Sequence, residues 1–129
     1  MNDLTTEWIA KAEGDLATAG RELRARRSPN YDAACFHAQQ AAEKYLKAFL
    51  QERAAPFPKI RNLIELLELC LPLDTSFEFY RDLLVRLDRY AVRYRYPGES
   101  AERAEARTAL EGARAIRVFV RSRLGLPGD

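Results

Sequence analysis

Tyr31-Asp32-Ala33-Ala34-Cys35-Phe36-His37-Ala38-Gln39-Gln40-Ala41-Ala42-Glu43-Lys44-Tyr45-Leu46-Lys47-Ala48-Phe49-Leu50 is the stretch that decides the fold. It reads as one long helix, apolar over most of its circumference, with a narrow polar seam. Gln40, Glu43, Lys44, Lys47 and Gln51 recur at spacings of three and four, so they share a face. The alanines let neighbouring helices approach closely, while Phe36, Tyr45, Leu46, Phe49 and Leu50 supply bulk. A helix apolar on most sides belongs at the centre of its domain. Its seam then faces either solvent or a shared, partly enclosed surface.

Working outward, helical periodicity continues in both directions and strand signals are nearly absent. A first helix is expected from Thr6 to Arg26, with Trp8, Ile9, Ala12, Leu16, Ala19 and Leu23 as its apolar stripe, ended by Pro29. The central helix runs to about Arg53 and is followed by the rigid Ala54-Ala55-Pro56-Phe57-Pro58 connection. A short helix is expected from Ile60 to Cys70, stopped by Pro72. Thr75 and Glu78 form a capping-box pattern that opens a long fourth helix, with Phe79, Leu83, Leu84, Leu87, Tyr90, Ala91 and Tyr94 inward. That helix is expected to end at Tyr96-Pro97-Gly98. Ser100 is the expected N-cap of the last helix, whose inner side carries Ala106, Ala109, Leu110, Ala113, Ile116, Val120 and Leu124. Residues 125–129 read as a frayed tail. The expected architecture is all-α: an antiparallel up-and-down bundle of four long helices plus one short helix, in a single domain over residues 1–129.

The chain of 129 residues is 47% hydrophobic and 31% charged, the composition of an ordinary globular domain. No apolar run is long enough to cross a bilayer, and the N-terminal residues do not resemble a signal peptide, so a cytoplasmic location without membrane attachment is expected. Two cysteines and one histidine make neither a disulfide framework nor a zinc ligand set, so no metal or cofactor is expected. Seventeen arginines against four lysines favour bidentate contacts to phosphate or carboxylate.

Candidate chemistry is sparse. His37 is the only side chain that titrates near neutrality without perturbation, and no nucleophile stands at helical contact spacing from it. It reads as a structural or surface histidine, or as one lining a groove. No glycine-rich phosphate loop is present. Arg86, Arg89 and Arg93 form a stripe continuing to Arg95, interleaved with Tyr90, Tyr94 and Tyr96, which would suit both phosphate pairing and base stacking. Arg103, Arg107, Arg114, Arg117 and Arg121 do the same on the last helix. The plainer alternative is a solvated face paired to Glu99, Glu102, Glu105 and Glu111.

The run Tyr31-Asp32-Ala33-Ala34-Cys35-Phe36-x-Ala38-Gln39-Gln40-Ala41-Ala42-Glu43-Lys44-x-x-Lys47-Ala48, followed about forty-five residues later by Arg95-Tyr96-Pro97, closely resembles the HEPN domain family. Trp8, Ala12, Asp15 and Leu16 of the first helix agree with it too. The resemblance covers essentially the whole chain. It implies a helical bundle that forms a homodimer and a place beside a minimal nucleotidyltransferase in toxin–antitoxin or defence modules. It also implies either a nucleotide-binding or a metal-independent ribonuclease role.

The ribonuclease signature, an arginine followed after four to six residues by histidine, is missing: His37 lies ten residues beyond Arg27. Where the family often has His-Asp/Asn-Leu, this chain reads Arg61-Asn62-Leu63, and arginine cannot serve as a general base at neutral pH. The resemblance therefore implies a non-catalytic member that binds a nucleotide, a nucleic acid or a partner nucleotidyltransferase. Its site residues, carried over from the family pattern, are Asp15, Gln40, Glu43, Lys44, Lys47, Arg61, Arg95 and Tyr96. Lys44, Lys47 and Arg95 would pair with phosphate, and Asp15 and Glu43 would orient those cations. A ribonuclease using His37 and a plain dimeric scaffold are the alternatives.

Overall fold

The protein is described by a computed structural model covering residues 1–59 and 62–128. Five α-helices follow one another: α1 (Asp3–Arg24), α2 (Tyr31–Glu52), α3 (Leu63–Cys70), α4 (Arg81–Asp88) and α5 (Arg103–Arg123). Two 3₁₀ segments, Thr75–Tyr80 and Arg89–Ala91, flank α4, and the described residues contain no strand. The all-helical class follows from the chain's periodicity, but only three of the helices are long.

Three asparagines start helices by the same device. The side chains of Asn2, Asn30 and Asn62 accept backbone N–H groups from Thr5, Ala33 and Ile64, satisfying donors that have no partner within the helix. α1 and α2 run antiparallel: Asn2 N–H donates to Glu52 at one end, and Asn30 N–H donates to Glu22 at the other. α5 runs alongside α2 in the same direction. Ala101 N–H donates to Asp32 at 2.6 Å near their starts, and Phe77 bridges Phe49 and Phe119 near their ends.

α2 is the axis of the core. Ala34, Cys35, Ala38, Ala41, Ala42, Tyr45, Leu46, Ala48, Phe49 and Leu50 are all fully buried. Small side chains on its successive turns admit α1 and α5, and the large ones fill the end of the bundle against α3 and α4.

The expected long fourth helix is broken into pieces. Thr75–Tyr80 winds as 3₁₀ helix, in which positions three apart eclipse, so Phe77 and Tyr80 turn inward while Phe79 is 86% exposed. Phe77 lies 4.6 Å from Phe49 and 4.8 Å from Phe119, ring centre to ring centre, and that insertion sets the tighter winding. At the other end, Asp88 accepts Leu63 N–H at 2.9 Å, fixing the end of α4 to the start of α3. The following Tyr90, Val92, Tyr94 and Tyr96 are weak helix formers, and the chain leaves the helix there.

Two smaller expectations also change. α5 starts at Arg103 behind Glu102, which makes no side-chain cap, so Ser100 is not the N-cap; Asp32 holds the approach to the helix instead. Residues 125–128 are tied back rather than frayed. Gly125 adopts φ 75°, Leu126 N–H donates to Arg121 O at 2.8 Å, and Arg117 donates to Gly128 O. The short helix begins at Leu63, and Ile60 and Arg61 lie outside the described residues.

Phe77→Ala should remove the plug between α2 and α5 and destabilise the fold by about 3–5 kcal/mol in chemical denaturation. Burial, the largest influence on each, pushes the thiols of Cys35 and Cys70 up to about 12; neighbouring Glu105 and Asp74 carboxylates add to the rise. Neither thiol should therefore react with a disulfide reagent at about pH 8 until the protein unfolds, after which both react.

Candidate functional site

The polar seam of α2 is largely enclosed by α1. At its middle, the Asp15 carboxylate accepts from two side chains of α2, two turns apart. His37 Nδ1 lies 2.8 Å from Oδ1, and Lys44 Nζ is hydrogen-bonded to Oδ2. The Asp15 side chain retains 11% of its exposure, His37 31% and Lys44 22%. An ionised carboxylate only accepts, so Nδ1 carries the proton and Nε2 is the imidazole nitrogen that Asp15 does not hold. This constellation was hidden from the sequence because Asp15 and His37 belong to different helices. The spacing of seven between His37 and Lys44 does signal a shared face.

Further along the seam, Glu43 and Lys47 are both buried and 3.5 Å apart at a spacing of four. Lys47 Nζ stands 5.3 Å from the centre of the Trp8 ring, a cation–π contact, and Trp8 in turn packs on Phe57. Gln40 donates its amide to the buried Gln39 at 2.8 Å. Gln39 Nε2 has no acceptor among the described residues, an omission that costs about 1–3 kcal/mol at the centre of the bundle.

Arg95 and Tyr96 lie elsewhere. The Arg95 guanidinium sits over the Phe36 ring at 5.9 Å, at the N-terminal end of α2, and Tyr96 is 71% exposed. Phe36 and Lys47 are separated by roughly 16 Å of helix, so Arg95 and Lys47 do not meet in one pocket. Asn30, Asp32, Ala33, Phe36, Tyr94 and Arg95 instead line an open cleft of about 400 Å³. His37 borders it through an edge-on contact of its ring with Phe36, centres 5.5 Å apart. Arg61, the remaining expected site residue, lies outside the described residues.

The expected set thus divides into a tied-down group (Asp15, Gln40, Glu43, Lys44, Lys47) and an open group (Arg95, Tyr96). Lys44 and Lys47 each have a carboxylate partner inside the protein. Arg95 has an aromatic partner and no ion pair among the described residues. Of the arginine stripe, Arg93 turns toward Glu99 and Glu105 at 3.7 and 3.8 Å, as the plainer alternative expects.

Lys44→Met should leave Asp15 without its cation and destabilise the fold by about 1–3 kcal/mol. The double variant with Asp15→Asn should recover part of that loss, measured as the coupling energy of a double-mutant cycle by denaturant titration.

No characterised protein sequence and no solved structure matches this chain. A family model described as the HEPN domain does match, over residues 5–123, from the first turn of α1 to the last residue of α5. That span takes in the paired Asp15 and Lys44, the Gln39-Gln40 step of α2 and the Arg95-Tyr96-Pro97 segment, and so this chain belongs to the HEPN domain family.

Proposed function

We propose that this HEPN protein is a non-catalytic binding module, dimeric and partnered by a minimal nucleotidyltransferase in a toxin–antitoxin or defence-type system, that takes a nucleotide or the end of a nucleic acid. The observation that carries this reading is the placement of Arg95 over Phe36 beside the exposed Tyr96. A guanidinium without a carboxylate partner has its fork of donors free for phosphate, and two aromatic faces beside it suit a stacked base. Lys44 and Lys47 support the site from behind by holding α1 against α2, since a phosphate would have to displace a buried carboxylate to reach either one. Asp15, Glu43 and Gln40 serve the same internal network.

One observation favours the ribonuclease reading: Asp15 holds His37 by Nδ1 and leaves Nε2 uncommitted to that carboxylate, the arrangement in which an imidazole can serve as a general base. Cleavage of RNA by the purified protein, abolished in His37→Ala and retained in Lys44→Ala, would establish that reading in place of the first.

For the binding reading, a nucleoside triphosphate at millimolar concentration should raise the melting temperature of the wild-type protein. Arg95→Ala and Phe36→Ala should each weaken binding by about tenfold, the value of one charge-assisted contact or one stacked base. Calorimetry that finds no nucleotide bound, or equal affinity in Arg95→Ala, overturns it.

A further inference from the structure

The second arginine stripe, on α5, takes no part in the cleft at Phe36. It faces α1 on the other flank of that helix from Trp8 and Asp15, because Ala17, Gly20 and Arg24 lie more than a third of a turn around the helix from those two. Between the helices runs an open groove of about 450 Å³. Arg24 from α1 and Arg114 and Arg117 from α5 line its walls, and Leu16, Ala17 and Val118 give it an apolar floor.

The groove is shaped around its arginines. Gly20 is buried one turn before the end of α1, and a Cβ placed on it would stand 3.0 Å from Arg24 Nη1. The missing side chain leaves room for the Arg24 guanidinium to lie back along the helix, where a methyl group would crowd its tip. Arg117 is anchored by Glu13 at 2.8 Å, and Glu13 also accepts the Tyr45 hydroxyl from the core. That carboxylate is the only acidic side chain lining the groove among the described residues, and it is already engaged. Arg24 and Arg114 have no ion pair among the described residues. Arg107, exposed and two turns before Arg114, continues the same face toward the start of α5.

We infer that this groove is a binding track for single-stranded nucleic acid, with Arg24 and Arg114 on backbone phosphates and bases or riboses laid on the apolar floor. Guanidinium groups offer planar, paired donors that match phosphate oxygens. A cationic groove that tracks a phosphate backbone suits a single strand, whose bases or riboses are free to lie on aliphatic side chains, whereas a duplex keeps its bases inside. An acidic polypeptide would use the cations but leave Leu16, Ala17 and Val118 uncovered.

The test is anisotropy of a labelled oligouridylate of about twenty nucleotides, titrated between about 50 and 200 mM salt. Relative to wild type, Arg24→Gln/Arg114→Gln should bind at least tenfold more weakly at the low salt. Its log–log salt slope should fall by about 1.4, the loss of two phosphate contacts on a single strand. Gly20→Ala, which keeps every charge but crowds Arg24, should weaken binding without lowering the melting temperature. Lys11→Gln, an exposed cation on the Trp8 side of α1, should bind as wild type does. Three results would overturn the track: wild-type protein that does not bind the strand, a double variant with the wild-type slope, or an equal loss in Lys11→Gln. Displacement of the RNA by polyglutamate at equal charge would assign the groove to an acidic protein instead. Because Arg95 is left intact throughout, failure here is distinct from failure of the nucleotide site.

Discussion

Two carboxylates on α1, two residues apart, fasten this bundle together. Residues at that spacing point to widely separated sides of a helix, so Asp15 and Glu13 reach in different directions. Asp15 takes His37 and Lys44 from the seam of α2, and Glu13 takes the buried hydroxyl of Tyr45 and the guanidinium of Arg117 on α5. A helix as apolar as α2 packs readily in many rotational settings, because small and large hydrophobic side chains surround it. Charged groups withdrawn from water permit far fewer, since a setting that leaves Asp15 or Lys44 unpaired is strongly penalised. The alanine-rich surface brings the helices close, and the two acids fix their register.

That constraint decides where binding can happen. Cations of the central helix are committed to internal partners, and a ligand competing for them would have to supply as much as a pre-positioned carboxylate does. Among the cations that have no carboxylate partner within the described residues, three line clefts at the edges: Arg95 on the segment after the second 3₁₀ turn, and Arg24 and Arg114 where α1 meets α5. In both places the guanidinium lies against apolar or aromatic surface and remains open to solvent, where phosphate pairing requires no buried pair to be broken.

The long helices were legible because each buries one continuous stripe at a 3.6-residue period, and α1, α2 and α5 follow that pattern over 21 or 22 residues. The fourth helix was not, because its winding is set by two tertiary events. Phe77 inserts between Phe49 and Phe119, and Asp88 is drawn to Leu63 N–H. Phe77 and Phe79 are both aromatic and two apart, and local periodicity has no means to choose between them. The site was legible in its residue types and only partly in its grouping. A shared helix face put Glu43, Lys44 and Lys47 together without His37, and Arg95 lies beyond a segment whose path the sequence did not reveal. Asp15 as the partner of His37 needed the pairing of two helices.

α1 consequently serves two surfaces at once. Its flank bearing Trp8 and Asp15 closes the seam of α2, and its flank bearing Gly20 and Arg24 opens the groove toward α5. On the first flank Asp15 and Trp8 are both engaged by side chains of α2. The second has a glycine one turn before the end of α1, a helical position where alanine would stabilise the helix by up to about 1 kcal/mol. A glycine there leaves room for the Arg24 guanidinium, and that side chain is one that the core does not use. A purely structural α1 would gain from alanine at that position; an α1 that also presents a cation to a ligand would lose by it.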